Sequence, residues 1–242
     1  MPARVIMVAS GKGGTGKSTT SVHVGAQMAL RGKKVLLVEL DSGLRSVDVI
    51  AGISGETVFD ISDIMSGRCT PEKAVVNSAV YPGLSIISAP YTGGHIETEN
   101  LKTMVSAMAD VFDEIILDTA AGIGKPFEAA REVSHLALIV ITPDRVSMRD
   151  GRIVAEKLEE TVSCRLIINM VIPKMVKKAG LQDLDECIDT VGAQLIGVIP
   201  QEDDVYLCGA LGQPLPLGSV ARQAYTNIAR RLLGEYVPLV LK

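Results

Sequence analysis

A doubly wound α/β domain is the fold this sequence predicts, with a mostly parallel sheet of about seven or eight strands flanked by helices. Three observations carry that reading. Short aliphatic runs recur along the whole chain. Most are apolar on successive residues rather than alternate ones, as in strands covered on both faces. Between them lie stretches with apolar residues at helical spacing, so the order strand, loop, helix repeats from end to end.

The elements follow in order. Val5–Val8 reads as the first strand and Lys17 to Leu30 as a helix opened by a glycine loop, with Gly25 allowing close approach to the sheet. Val35–Val38 and Leu84–Ile87 are the next strands. Leu101, Met104, Val105, Met108 and Phe112 then recur at helical spacing, their methionines serving as core filler. Ile115–Leu117, Leu136–Ile141, Leu166–Ile168 and Leu195–Ile199 complete the strands. Ala221, Ala224, Ile228 and Leu232 mark the apolar face of a last helix, Ser219 to Leu233. No linker interrupts the pattern, so residues 1–242 are expected to form one domain, with Gly93–Gly94 and Gly209–Pro216 as surface loops inside it.

Composition narrows the class. The 242 residues are 47% hydrophobic and 21% charged, which excludes a disordered chain, and no run approaches the ~18 apolar residues of a membrane span. A net charge of −4 disfavours a generally basic nucleic-acid binder. Aromatics at 3%, with no Trp, disfavour stacking platforms for single strands. Cys69, Cys164, Cys187 and Cys208 form no C-x-x-C pair and so give no zinc or iron–sulfur signature. Their scatter and the absence of a signal-peptide pattern point to the cytoplasm.

The chemistry begins after the first strand, in Ser10-Gly11-Lys12-Gly13-Gly14-Thr15-Gly16-Lys17-Ser18-Thr19. It contains G-x-x-x-x-G-K-[ST], the phosphate loop of P-loop NTPases. Its glycines (Gly11, Gly13, Gly14, Gly16) let the backbone curl so that the N–H groups of residues such as Thr15 and Thr19 face phosphate oxygens, while the following helix adds its N-terminal dipole. Lys17 is placed to reach the β- and γ-phosphates of ATP, and the Ser18 hydroxyl to ligate Mg²⁺. A chance match arises in on the order of one chain in a hundred of this length, before the flanking strand and helix are required.

The octet Lys12 to Thr19 resembles the deviant Walker A signature of the MinD/ParA family of ATPases. The resemblance implies that Lys12 reaches into the partner subunit's nucleotide in an ATP-bound homodimer. A solvated loop lysine is the alternative.

Two carboxylates stand at strand ends, where α/β folds open their ligand crevice. Asp41 follows Val38-Glu39-Leu40 and is a candidate to position the attacking water, or else a turn aspartate. Asp118 ends Ile115-Ile116-Leu117 as in a Walker B element and is a candidate Mg²⁺ ligand, probed against the alternative of a capping residue. The Ala-Ala-Gly that follows suits a loop that senses the γ-phosphate. Asn169, at the end of another strand, can pair with an adenine edge, the use the family makes of this position, or simply make a turn. Pro200 and the residues after it, Gln201 to Asp204, are expected near the base or ribose.

Further segments are similar to the MinD branch of the family: Asp41-Ser42-Gly43-Leu44-Arg45-Ser46-Val47-Asp48, Asp118 to Ile123, Thr142 to Asp150, Gly197-Val198-Ile199-Pro200, and Arg231 to Glu235. They span nearly the whole chain. They imply a slow, partner-stimulated ATPase that controls spatial positioning, with MinC- or MinE-like partner proteins. A ParA-like segregation ATPase and a metallocentre-maturation ATPase are the other branches considered.

Two departures stand out. Glu39 occupies a position that is usually Asp in that branch, and its extra methylene is expected to alter hydrolysis geometry while leaving binding intact. After Glu235 the chain reads Tyr236-Val237-Pro238-Leu239-Val240-Leu241-Lys242, in which Pro238 interrupts any helix. These residues are not expected to form the branch's amphipathic membrane helix, so direct membrane binding is not expected and recruitment by a partner is the expected route. Among smaller signals, His23, Gln27 and Arg31 at helical steps suggest a solvated face. His23, His95 and His135 follow no metal spacing, and Lys174, Lys177 and Lys178 read as a solvated basic loop.

Overall fold

The computed structural model of the protein describes residues 2–43, 45–91, 96–172, 174 and 184–239. Leu44, Gly93–Gly94, His95, Lys177, Lys178 and residues 240–242 lie outside them. In chain order the elements are β1 (Arg4–Ala9), α1 (Lys17–Ala29), β2 (Val35–Glu39), α2 (Val47–Ile50), α3 (Ile61–Met65), α4 (Pro71–Ala74), β3 (Val76–Asn77), β4 (Leu84–Ile87) and α5 (Thr98–Met108). They continue with β5 (Glu114–Asp118), α6 (Lys125–Val133), β6 (Leu136–Ile141), α7 (Arg145–Leu158), β7 (Ser163–Val171), α8 (Asp185–Val191), β8 (Gln194–Pro200), α9 (Asp203–Leu211) and α10 (Val220–Leu232).

One eight-stranded sheet runs in the order β3-β4-β2-β5-β1-β6-β7-β8. Every pairing is parallel except β3 with β4. The seven strands read from aliphatic runs are all present. The eighth, β3, has two residues and no apolar run to announce it. Strands β2 and β5 are buried at every position, which is why their sequences do not alternate.

Each face of the sheet carries its own core. Met7, Leu36 and Leu117 face Leu101, Met104, Phe127 and Val154 from α5, α6 and α7. Ile6, Leu37 and Ile116 face Val24, Met28, Tyr225 and Ile228 from α1 and α10. Gly25 lets α1 lie close to the sheet: a Cβ there would stand 3.1 Å from Leu84 Cδ1 and 3.2 Å from Ile116 Cδ1.

Two expectations are corrected. The expected loop Gly209–Pro216 begins inside α9, which runs on to Leu211 and stops at Gly212 in a left-handed cap. Gly209 is buried over α2, and Gly212 comes within van der Waals reach of Gly52, so small residues here serve helix contact rather than a turn. Likewise, His23 and Gln27 do not face solvent. Their helical step points at α10, where Gln27 Oε1 accepts from the Thr226 hydroxyl at 2.8 Å. The His23 ring lies 4.9 Å from the Tyr225 ring and edge-on to Tyr81.

Burial, with a smaller contribution from the Arg222 charge, pushes the His23 imidazole down to about 4. The native state therefore keeps it neutral while the unfolded chain takes up a proton below its ordinary value near 6.5. This contribution to stability is present above about pH 6.5 and is lost as the pH falls toward 4, a span worth roughly 3 kcal/mol. Urea unfolding of nucleotide-free protein between these pH values should show a steeper loss for the native sequence than for His23→Phe, which keeps the ring contacts without the titration. Parallel pH profiles would refute it.

Candidate active site

The C-terminal ends of β1, β2, β5, β7 and β8 open on one edge of the sheet, and the sequence-predicted residues gather there. The loop after β1 turns through Gly14 and Gly16 at φ of +77° and +86°, conformations that other residues reach only with strain. A Cβ at Gly13 or Gly14 would meet nothing within 4 Å, so the loop has an open side. A Cβ at Gly16 would collide with the Asn169 amide. Helix α1 starts at Lys17 with no side-chain cap, leaving its first N–H groups available to an anion. Thr15 Oγ1 is buried without a protein partner.

Lys17 is buried, and its Nζ donates to Ser10 Oγ at 3.0 Å. Ser10 Oγ in turn donates to the Lys12 carbonyl at 2.7 Å, so one hydroxyl ties both ends of the loop. Burial lowers the Lys17 ammonium from its ordinary value, against the charges of Asp118 and Asp41, which oppose the shift.

Asp118 is fully buried at the end of β5. It accepts from Ser18 Oγ at 2.6 Å and from Ser21 Oγ at 2.9 Å. Burial pushes its carboxyl up to about 7, aided by nearby Glu39 and opposed by the two serines and Lys17. A buried carboxylate beside a serine hydroxyl, at an uncapped helix start, is a donor set that suits a magnesium ion and a polyphosphate. Asp41 is only half-buried and close enough for its charge to act on Lys17.

Lys12 sits on the rim. Its Nζ is 3.4 Å from Asp144 Oδ2, and its side chain is 42% exposed. Asp144 caps α7 by accepting from the Ser147 N–H and also accepts from the Thr142 hydroxyl. Partial burial works in the other direction, but these bonds and the Lys12 charge hold the Asp144 carboxyl below the usual range.

Asn169 Nδ2 donates to the Thr15 carbonyl at 2.8 Å, which fixes the amide against the phosphate loop. The register of β7 against β8 shifts just there, and Met170 takes a left-handed φ of 56°. Pro200 ends β8. Of the four residues after it, Glu202 is committed elsewhere: it accepts from Ser219 Oγ and from the Val220 and Ala221 N–H groups at the start of α10. The Glu39 carboxylate is engaged by backbone N–H groups of Ser46, Val47 and Ala89.

Two site residues escaped the sequence reading. Ser10 precedes the motif, and nothing local marks it. Ser21 lies one helical turn from Ser18, and that spacing was a legible sign that both could serve one acceptor.

A glycine loop between a parallel strand and an uncapped helix, with a buried lysine and a serine–aspartate pair, defines a P-loop nucleoside-triphosphatase site. Residues 6–215 match the family described as the CobQ/CobB/MinD/ParA nucleotide binding domain. The septum site-determining protein MinD of Bacillus subtilis is 35% identical over 242 residues, 97% of this chain and 90% of that protein. The MinC:MinD cell division complex of Aquifex aeolicus contains a chain 35% identical to this one, with a TM-score of 0.91 over 99% of both. A Pyrococcus horikoshii MinD solved with Mg-ADP, 20% identical, shares the fold with a TM-score of 0.85 over 95% of this chain and 96% of that one. The chain belongs to the CobQ/CobB/MinD/ParA nucleotide-binding family, among its MinD-like ATPases.

Asn169→Ala should leave the buried Thr15 carbonyl without its donor and destabilise nucleotide-free protein by about 1–3 kcal/mol. The urea midpoint reads this; an unchanged midpoint would mean that the amide does not brace the loop.

Proposed function

We propose that this chain, acting as one ATPase domain, is a nucleotide-controlled switch in placing the division site. It binds Mg²⁺-ATP, pairs with a second copy while ATP is held, engages a MinC-like partner, and separates after slow hydrolysis. A MinE-like protein that stimulates turnover fits the same cycle. The observation that carries this reading is the pair of lysines. Lys17 is buried inside the loop, whereas Lys12 is on the rim, paired among the described residues with Asp144 at 3.4 Å and able to exchange to an anion on another subunit.

In this reading Gly11, Gly13, Gly14, Thr15, Gly16 and Thr19 present backbone N–H groups and hydroxyls to phosphate oxygens. Lys17 neutralises β- and γ-phosphate charge. Ser18 and Asp118 would hold Mg²⁺. Bound there, Mg²⁺ would supply positive charge that offsets the charge developing during phosphoryl transfer. Asp41, beside Lys17 and still reachable by water, orients the attacking water. Asn169 and Pro200 border the base, with Gln201, Asp203 or Asp204 nearer to it than Glu202. No described helix is long and apolar enough to cross a membrane.

Calorimetry tests the site. Lys17→Ala should abolish measurable Mg²⁺-ATP binding, because neither the dipole nor the backbone replaces its charge; native affinity in that variant would sink the assignment. Lys12→Ala should separate binding from pairing. The variant should still bind ATP but remain monomeric by size-exclusion chromatography with Mg²⁺-ATP, and lose roughly 10³-fold or more in turnover, as when a trans-acting arginine finger is removed. Equal dimer in both proteins would refute the trans role.

A further inference from the structure

Glu39 ends β2, in register with Asp118 and two residues before Asp41. Its side chain is fully buried. Instead of facing a cation, the carboxylate gathers three backbone donors from two separate segments. Oε1 accepts from the Ser46 N–H at 2.8 Å and the Val47 N–H at 3.1 Å, and Oε2 accepts from the Ala89 N–H at 3.3 Å. Burial raises the Glu39 carboxyl from its ordinary value and the Asp48 charge adds to this, while the three N–H bonds oppose it. An acid this buried is retained where its acceptors are needed.

The chain that carries Asp41 leaves β2 at Glu39 and is held at several points before it reaches Ser46. The Leu40 N–H donates to the Asp118 carbonyl at 2.8 Å, and the Gly43 N–H to the Pro90 carbonyl at 3.1 Å. Beyond them stand Ser46 and Val47, held by Glu39. The far end has its own lock. Arg45 pairs with Asp48 at 3.2 Å with both side chains buried, donates to Thr57 at 2.8 Å and stacks 4.2 Å over the Tyr91 ring. Helix α2 has only four residues, and Ser46 at its cap makes no side-chain bond. The capping of α2 falls to a residue two positions before Asp41 rather than to the local serine, so one carboxylate joins α2 to the strand end that leads into Asp41.

We propose that Glu39 is a positioning residue for hydrolysis. By clamping Ser46, Val47 and Ala89 it sets the path of the Asp41 segment, and through it the rate of hydrolysis, without touching the nucleotide. This rests on the ATPase reading above and on Asp41 as the water-orienting group.

The experiment compares native protein with Glu39→Gln and Glu39→Ala. It measures single-turnover hydrolysis, Mg²⁺-ATP affinity by calorimetry, and amide hydrogen exchange at Ser46, Val47 and Ala89 in nucleotide-free protein. Glu39→Ala should lower the hydrolysis rate about a hundredfold, as expected of an ångström-scale misplacement, with affinity held within about twofold. In Glu39→Gln the amide oxygen still accepts from Ser46 and Val47, while its NH₂ faces the Ala89 N–H. That variant should hydrolyse at an intermediate rate, with exchange accelerated at Ala89 and preserved at the other two. Native turnover in Glu39→Ala, or rate and affinity falling together, would overturn the proposal. If the alanine variant does not fold, native rate and native Ala89 exchange in Glu39→Gln would overturn it equally. Native protein that neither binds nor hydrolyses ATP would instead overturn the functional reading, and the exchange data would still decide whether Glu39 holds the segment.

Discussion

A carboxylate with no access to water organises this site. Asp118 ends the central strand β5 in a place where an ionised group is costly unless it is partnered, and two hydroxyls from the first turns of α1 supply the partners. That requirement ties the start of α1 to β5 and holds the phosphate loop between them. The buried lysine one residue before Ser18 completes the arrangement. Burial drives Lys17 and Asp118 each toward its neutral form, the ammonium downward and the carboxyl up to about 7. A phosphate chain with a divalent cation brings charges of both signs to this place, which favour the charged form of each residue. The site is arranged for a ligand more highly charged than either residue.

Around this centre, polar side chains act mostly on the backbone. Ser10 ties the Lys12 carbonyl, Asn169 ties the Thr15 carbonyl, Glu39 gathers three N–H groups, and Glu202 and Ser219 cap α10. Each removes conformational freedom from a loop that must present its own backbone, or the next side chain, at a fixed place. Lys12 is the contrast. Its ion pair with Asp144 is long and solvent-exposed, a contact worth little in water and easily exchanged. The strong bonds lie within the loops, and the weak one is on the surface that a partner would meet.

The helix pair on the opposite side from α5 to α7 shows the same economy of means. His23, Gln27, Tyr225 and Thr226 fill the contact between α1 and α10 with polar rings and amides. The first helix of the site is therefore packed against the last helix of the chain. A spacing of charged and amide residues that reads as a wet face is instead a buried seam, because α10 supplies partners that α1 cannot show by itself.

Local pattern and local chemistry were enough for much of this protein. Continuous aliphatic runs placed seven strands, since a strand covered on both faces must be apolar throughout. The glycine loop, Lys17, Ser18 and the carboxylates Asp41 and Asp118 could be picked out as candidates because phosphate chemistry uses those residue types, and the fold places them at one edge of the sheet. What remained depends on contacts far apart in the chain. The two-residue β3 has no pattern of its own and exists only as a partner of β4. Ser21 becomes part of the site because Asp118 lies beside it, and the Glu202 carboxylate is taken up by the start of α10. Glu39 reads in the sequence only as a departure from the branch's usual aspartate, and in the fold its carboxylate accepts from Ser46, Val47 and Ala89. A side chain's type follows from the sequence, but the donors it meets when buried are set by segments that only the tertiary fold brings to it.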